Sequence, residues 1–252
     1  MKEVKDNFSV QSDGYSRFRP VYPLSLYREI LSHVSSFQHC WDCATGNGQI
    51  ASVMADRFEK VSATDISQQQ LDRAPSLPRT TFFECRAEST PFEDDSFDLI
   101  TVGQAVHWFD LDAFNKEVAR VGKNGSVICI IGYGLMYAEK AFDVALTEFY
   151  CGVIGKYWDP ERKHIDSQYG TIPFPFEEIP LTRDFSIDVS WNLAQLEGYL
   201  NTWSSVNRYI EQLGDNPVTP FINNLRTLGI WRDDEVKEVH FPLFVKLGRI
   251  NK

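Results

Sequence analysis

Trp41-Asp42-Cys43-Ala44-Thr45-Gly46-Asn47-Gly48-Gln49-Ile50-Ala51 joins a short apolar strand, a glycine turn and the first residues of a helix. Residues 39–44 read as the strand, with Asp42 near its end. Gly46 to Gly48 make the turn. Residues 49–58 then carry Ile50, Val53, Met54 and Phe58 on one helical side. Cys40 and Cys43 form a C-x-x-C within this stretch. A metal would need a second ligand pair at similar spacing, and the sequence has none. A redox pair would need its first Cys at a helix N-terminus. On a strand, residues three apart point to opposite faces, so these two are expected to be packed thiols.

Outward from the turn, strands and helices alternate. Residues 23–37 have helical apolar spacing, with Pro23 near the start. Residues 61–64 are a second strand ending at Asp65. A helix over 67–74 follows, with Ser67 as N-cap, and Pro75 and Pro78 end it. Strands are predicted over 81–85, 97–103 and 126–133, a helix over 112–121 and a turn over 122–125. The last of these strands is a continuous apolar run, as in the middle of a parallel sheet. Beyond Gly134 the spacing predicts one long helix over 137–157, a loop over 158–182, a strand over 185–191, helices over 193–209 and 217–228, and a final strand over 237–247. Pro242 marks a bulge or an edge in that last strand.

This β-α-β-α order predicts a doubly wound α/β fold. It has a mostly parallel, seven-stranded sheet with helices on both faces and a helical or loop insertion after strand five. Residues 1–14 are polar and are expected to form a frayed arm, not a secretory signal. Residues 15–252 are expected to be a single domain, with a ligand-binding core over 15–135. Residues 136–182 and 192–235 would be cap elements, and 183–191 and 237–248 closing strands. A ligand should sit outside the carboxyl ends of the parallel strands.

The chain has 252 residues and a formal net charge of −10, with 43% hydrophobic and 24% charged residues. That composition is globular. The acidic balance, without any dense Lys/Arg run, argues against a nucleic-acid backbone as partner. No apolar run approaches membrane-spanning length, so neither nucleic acid nor membrane is an expected partner. A cytoplasmic location follows as the default.

The glycine turn fits two cofactor classes. Gly46, Gly48 and Ala51 match G-x-G-x-x-A, a dinucleotide fingerprint, with Asp65 near the expected spacing for a ribose-binding acid. Asp42, Ala44, Gly46 and Gly48 equally match D-x-(G/A)-x-G-x-G, a pattern of S-adenosylmethionine binding. There a carboxylate at the end of strand one would attract the α-ammonium group, and glycines would admit the ligand where a Cβ would clash. A later segment breaks the tie. Ala87-Glu88-Ser89-Thr90-Pro91-Phe92-Glu93-Asp94-Asp95-Ser96-Phe97-Asp98-Leu99-Ile100 resembles the A-E-x-x-P-F-x-D-x-S-F-D-x-(V/I) run of class I S-adenosylmethionine-dependent methyltransferases. Gln104-Ala105-Val106-His107-Trp108-Phe109 and the upstream Arg17-Phe18-Arg19-Pro20-Val21-Tyr22-Pro23 are similar to a small-molecule branch of that family. That branch includes trans-aconitate and quinone-biosynthesis methyltransferases. The resemblance covers roughly residues 15–135.

What the resemblance implies is a methyltransferase that uses S-adenosylmethionine on a small-molecule acceptor, with an organic acid as the acceptor the branch suggests. Asp42, Ala44, Gly46, Asn47 and Gly48 would surround the methionyl moiety, and Gln104 would line it through its backbone. Asp65 would take the ribose hydroxyls, Ile66 would pack on the adenine and Ala87 would offer its N–H. Arg86 stands where many relatives carry an acid beside the adenine amino group, so Glu88 is the substitute candidate. Ala44 replaces the commoner glycine, which is tolerable if its φ is negative.

His107 follows strand four, and its ordinary pKa suits proton transfer, so it is the candidate base or acceptor-orienting residue. Trp108 beside it could wall a sulfonium or anchor the loop. Tyr15 and Arg19, spaced i and i+4, and Tyr22 are candidates for a lid. Tyr133 and Trp203 complete the acceptor-side candidates, Trp203 sharing a predicted helix face with Tyr199. No metal is expected. Two other readings stay open: a protein that binds S-adenosylmethionine without turnover, and a nicotinamide-dependent oxidoreductase.

Overall fold

The computed structural model describes residues 20–252. In chain order the elements are α1 (Leu24–Ser32), β1 (His39–Cys43), α2 (Gln49–Met54), β2 (Lys60–Asp65), α3 (Gln68–Leu71), β3 (Thr80–Glu84), β4 (Phe97–Gly103), α4 (Leu111–Val121) and β5 (Gly122–Tyr133). Then come α5 (Lys140–Glu148), α6 (Arg162–Asp166), β6 (Glu177–Glu178), β7 (Ser186–Asn192), α7 (Leu193–Leu200), α8 (Ser204–Leu213), α9 (Val218–Thr227) and β8 (Val236–Arg249).

The main sheet runs β3-β2-β1-β4-β5-β8-β6. The first five strands of that order pair in parallel, while β8 lies antiparallel to β5 and to β6. This is the doubly wound, mostly parallel sheet expected from the strand–helix alternation. The order reverses between β1 and β4, and in such sheets ligands bind outside the carboxyl ends of the strands at that switch point.

The alternating faces of the strands divide the core. Cys40, Val127, Cys129 and Ile131 pack with α1, α2 and the C-terminal helices on one side of the sheet. Trp41, Cys43, Ile128 and Ile130 pack with α4 on the other. Cys40 and Cys43 therefore point to opposite faces, are fully buried and are free thiols. Burial pushes both well above the ordinary thiol pKa, so each behaves as a small hydrophobe.

Four predicted elements differ. The turn over 122–125 is part of β5. Gly125 takes φ 80° there, and the β4–β5 register shifts between Phe97 and Leu99. The long helix over 137–157 ends as α5 at Glu148, and the chain continues as a π turn at Phe149–Val153 and a 3-10 turn at Gly155–Tyr157. Gly152 and Gly155 fall in that stretch, where their backbone freedom weakens a regular helix. The helix over 193–209 is two helices. At the break, Asn201 Nδ2 donates to Glu197 O at 2.8 Å and Thr202 Oγ1 to Tyr199 O at 2.6 Å, so side chains compete for the last-turn carbonyls. The predicted loop over 158–182 contains α6 and β6, and β6 is the terminal strand of the main path.

Strand β8 pairs with β5, β6 and β7. Its first half, through Pro242, pairs with β7, and residues 243–249 pair with β5. Pro242 sits at the change of partner, where its carbonyl still accepts from Gly134 N at 3.1 Å. A residue without an N–H is tolerated at such a junction. The closing strand predicted over 185–191 is thus β7, an eighth strand off the main path.

Candidate active site

The carboxyl ends of β1, β2, β4 and β5 bring Ala44, Asp65, Gln104 and Tyr133 to one rim. The backbone there is left-handed at Ala44 (φ 52°), Gly46 (56°), Gly48 (83°) and Gln104 (54°). Gly46 and Gly48 adopt it without a Cβ penalty. Ala44 and Gln104 do not, and such strain collects at functional sites. The condition set for a comfortable alanine here, a negative φ, is not met. A Cβ built on Gly46 meets nothing within 4 Å, so the turn faces open space.

Asp42 is 1% exposed. It accepts from Thr45 Oγ1 at 2.5 Å, Ala51 N at 3.0 Å and Thr101 Oγ1 at 2.9 Å. Burial pushes its pKa up to about 6, against these three hydrogen bonds, which favour the anion. The sequence reading has this carboxylate attract a ligand ammonium directly or through water; among the described residues its side chain is held by Thr45, Ala51 and Thr101. It ties β1, β4 and the start of α2 together and so shapes the glycine turn. Thr45 and Thr101 carry this function, and nothing in their local sequence marks them for it.

Asp65 is half-buried at the end of β2. Its Oδ2 accepts from Gly46 N at 2.9 Å and its Oδ1 from Ser67 N at 3.0 Å. A carboxylate has about four acceptor positions and can serve more donors than these two backbone groups. Ile66 next to it is 40% exposed. Asn47 is half-buried in the glycine turn. Ala87 is buried. Glu88 is engaged on both oxygens, with Arg86 Nε at 3.2 Å on one and Asp110 N at 2.9 Å on the other. It balances Arg86 and holds the segment ahead of α4.

Gln104 bridges strands with its side chain: Nε2 donates to Tyr133 O at 3.1 Å, and Oε1 accepts from Tyr133 N at 2.9 Å. This amide continues the β4–β5 ladder past the strand end and fixes the left-handed backbone. Tyr133 stands edge-on to Phe241, with centroids 5.7 Å apart, and Tyr22 lies 6.5 Å from it. Tyr22 is buried, its hydroxyl close above Gly103. Tyr15 and Arg19 lie outside the described residues.

His107 sits in a 3-10 turn, Val106–Trp108, and is 6% exposed. Its Nδ1 is 3.1 Å from Tyr169 Oη, and its ring lies 4.9 Å from that of Trp108. Trp203 is buried between α7 and α8, 5.5 Å from Trp158 and 5.9 Å from Tyr199. Arg162 lies over Trp158 at 4.4 Å and donates from Nε to Tyr150 Oη at 2.6 Å.

The "Methyltransferase domain" family matches residues 41–130. A methyltransferase homologue of Dictyostelium discoideum is 32% identical over 252 residues, covering 97% of this chain and 95% of that one. The chain belongs to the methyltransferase family. A solved structure assigned as a type II methyltransferase, from Anaeromyxobacter dehalogenans, has a TM-score of 0.85 at 34% identity, covering 93% of this chain and 99% of that chain. A Saccharomyces cerevisiae protein assigned as an S-adenosylmethionine-dependent methyltransferase is 24% identical over 263 residues, covering 88% of this chain and 89% of that one.

S-adenosylmethionine is the cofactor of this methyltransferase, and the rim fits it. The open glycine turn, the partly exposed Asp65 carboxylate and the exposed apolar side chain of Ile66 are the features that a ligand with a diol, a flat base and an aminoacyl tail requires. Sequence reasoning passed over Tyr169, Arg162 and Trp158, which lie in the segment taken as a loop. Its Pro, aromatic and charged residues follow no period, so no signal in that segment assigned them a place.

Proposed function

We propose that this methyltransferase transfers a methyl group to a small organic acid in the cytoplasm. Bound at the rim, S-adenosylmethionine supplies an electrophilic methyl on a sulfonium. Asp65 holds the ribose hydroxyls, Ile66 packs on the adenine and the Ala87 N–H meets its edge. The turn Gly46-Asn47-Gly48, Ala44 and the backbone of Gln104 line the methionyl chain. Asp42 acts from behind by holding that turn.

In-line displacement needs the acceptor atom aligned with the S–CH₃ axis and water kept out. Tyr22, Tyr133, Trp108 and His107 form the acceptor side, where aromatic faces favour a cationic sulfonium. A carboxylate acceptor has no proton to lose, so His107 need only orient it. The observation that carries the reading is the left-handed backbone at two rim residues with a Cβ, Ala44 after β1 and Gln104 after β4. The free, mostly buried cysteines support a reducing compartment. Among the described residues no helix is long and apolar enough to cross a membrane.

The test is transfer of labelled methyl from S-adenosylmethionine to panels of carboxylic acids, phenols and amines. Label should appear on a carboxylic acid as an ester. Label on amines alone would overturn the organic-acid reading. S-adenosylhomocysteine binding with no transfer to any panel would favour a binding protein without turnover.

A further inference from the structure

Tyr169 is a fully buried tyrosine in an unfavourable backbone conformation. Its φ is 59°, and Gln168 before it has φ 51°. Left-handed backbone is disfavoured for any residue with a Cβ, so packing must hold this turn in place. Tyr169 N donates to His164 O at 2.7 Å, and the ring stands edge-on to Phe244 at 4.8 Å. The result is to bring the phenol to the imidazole of His107, 3.1 Å from Nδ1.

That contact has a direction. A buried O–H that donates to nothing keeps the full cost of its lost hydration. Among the described residues, His107 Nδ1 is the hydrogen-bond partner of Tyr169 Oη. Burial holds the phenol well above its ordinary pKa, and the nearby Arg162 charge offsets this only in part, so the hydroxyl keeps its proton. The O–H therefore donates and Nδ1 accepts. A ring nitrogen that accepts carries no proton, and the neutral imidazole then bears its hydrogen on Nε2.

We propose that Tyr169 is a positioning residue that holds His107 as the neutral Nε2–H tautomer, so that His107 meets the methyl acceptor as a hydrogen-bond donor and not as a base. The proposal rests on the reading that His107 faces the acceptor. It deepens that reading, because a donor at this position suits an acceptor that arrives already ionised. It also gives the otherwise irregular segment after α6 a purpose: its strained turn delivers one hydroxyl to one nitrogen.

The test is long-range ¹H–¹⁵N correlation spectroscopy on the full chain with S-adenosylhomocysteine, His107 being assigned by its loss in His107→Gln. The expected wild-type pattern is a pyridine-type Nδ1 and a pyrrole-type Nε2. Tyr169→Phe should abolish that fixed pattern and lower kcat/KM by up to about tenfold, the worth of one orienting hydrogen bond. His107→Gln, whose amide N–H can stand in for Nε2–H, should retain clearly more activity than His107→Ala. A protonated Nδ1 in the wild type would overturn the proposal, as would Gln and Ala variants of equal activity. The wild-type spectrum needs neither a variant nor turnover. A protein that binds no S-adenosylhomocysteine would refute the cofactor reading while the tautomer remained measurable.

Discussion

The backbone N–H of Gly46 donates to Asp65 Oδ2 at 2.9 Å, which locks the glycine turn after β1 to the end of β2. The carboxylate that shapes the turn is the one proposed to hold the ribose. Asp65→Ala is expected to weaken S-adenosylhomocysteine binding about tenfold to a hundredfold, the loss of hydrogen bonds to a charged acceptor. Asp65→Asn, which keeps one acceptor oxygen, should lose less. Isothermal titration calorimetry reads both, and unchanged affinity in the Ala variant would remove Asp65 from the site.

Asp42 gives a pH dependence with a definite sign. Its folded pKa is raised to about 6 from an ordinary value of 3.8. Between those values the folded chain keeps a proton that the unfolded chain has released. Stability from this group is therefore complete below about pH 4 and falls as pH rises through 6, by up to about 3 kcal/mol. Asp42→Asn lacks that titration. The stability of wild type minus that of Asp42→Asn should decrease from pH 4 to pH 7.5 in urea unfolding. A difference that stays flat with pH would contradict the assignment.

Ala44 holds a left-handed conformation that glycine adopts freely. Relief of about 1–2 kcal/mol of strain exceeds the extra chain entropy of glycine, so Ala44→Gly should stabilise by about 0.5–1 kcal/mol. Gly46→Ala, at φ 56°, should do the opposite by about 1 kcal/mol and also crowd the cofactor. Thermal unfolding checks both, and a destabilised Ala44→Gly would show that the Cβ has a packing role.

The parallel half of the sheet was legible because its signals are local: apolar strands, a glycine turn, helical periods and the run from Ala87 to Ile100. The sites that escaped depend on contacts between distant residues. Asp42 was legible as a rim acid, but its bond from Thr101 on the neighbouring strand was not. Glu88 was legible as a candidate, but its bonds from Asp110 N and Arg86 were not. The sign of φ at Ala44 is not written in alanine. The strand Glu177–Glu178 has no apolar alternation to reveal it, being two polar residues recruited by the edge of β8. Tyr169 was invisible for the same reason, since only the folded turn carries it to His107.

The central claim is that the rim made by β1, β2 and β4 binds S-adenosylmethionine. Thermal unfolding with S-adenosylhomocysteine, compared with a nicotinamide dinucleotide, tests it most directly. A ligand at a hundred times its Kd stabilises by about 2.7 kcal/mol, which is readily seen as a rise in Tm. S-adenosylhomocysteine should raise the Tm of the wild type and raise that of Asp65→Ala much less, with no effect of the dinucleotide on either. A rise with the dinucleotide and none with S-adenosylhomocysteine would contradict the account.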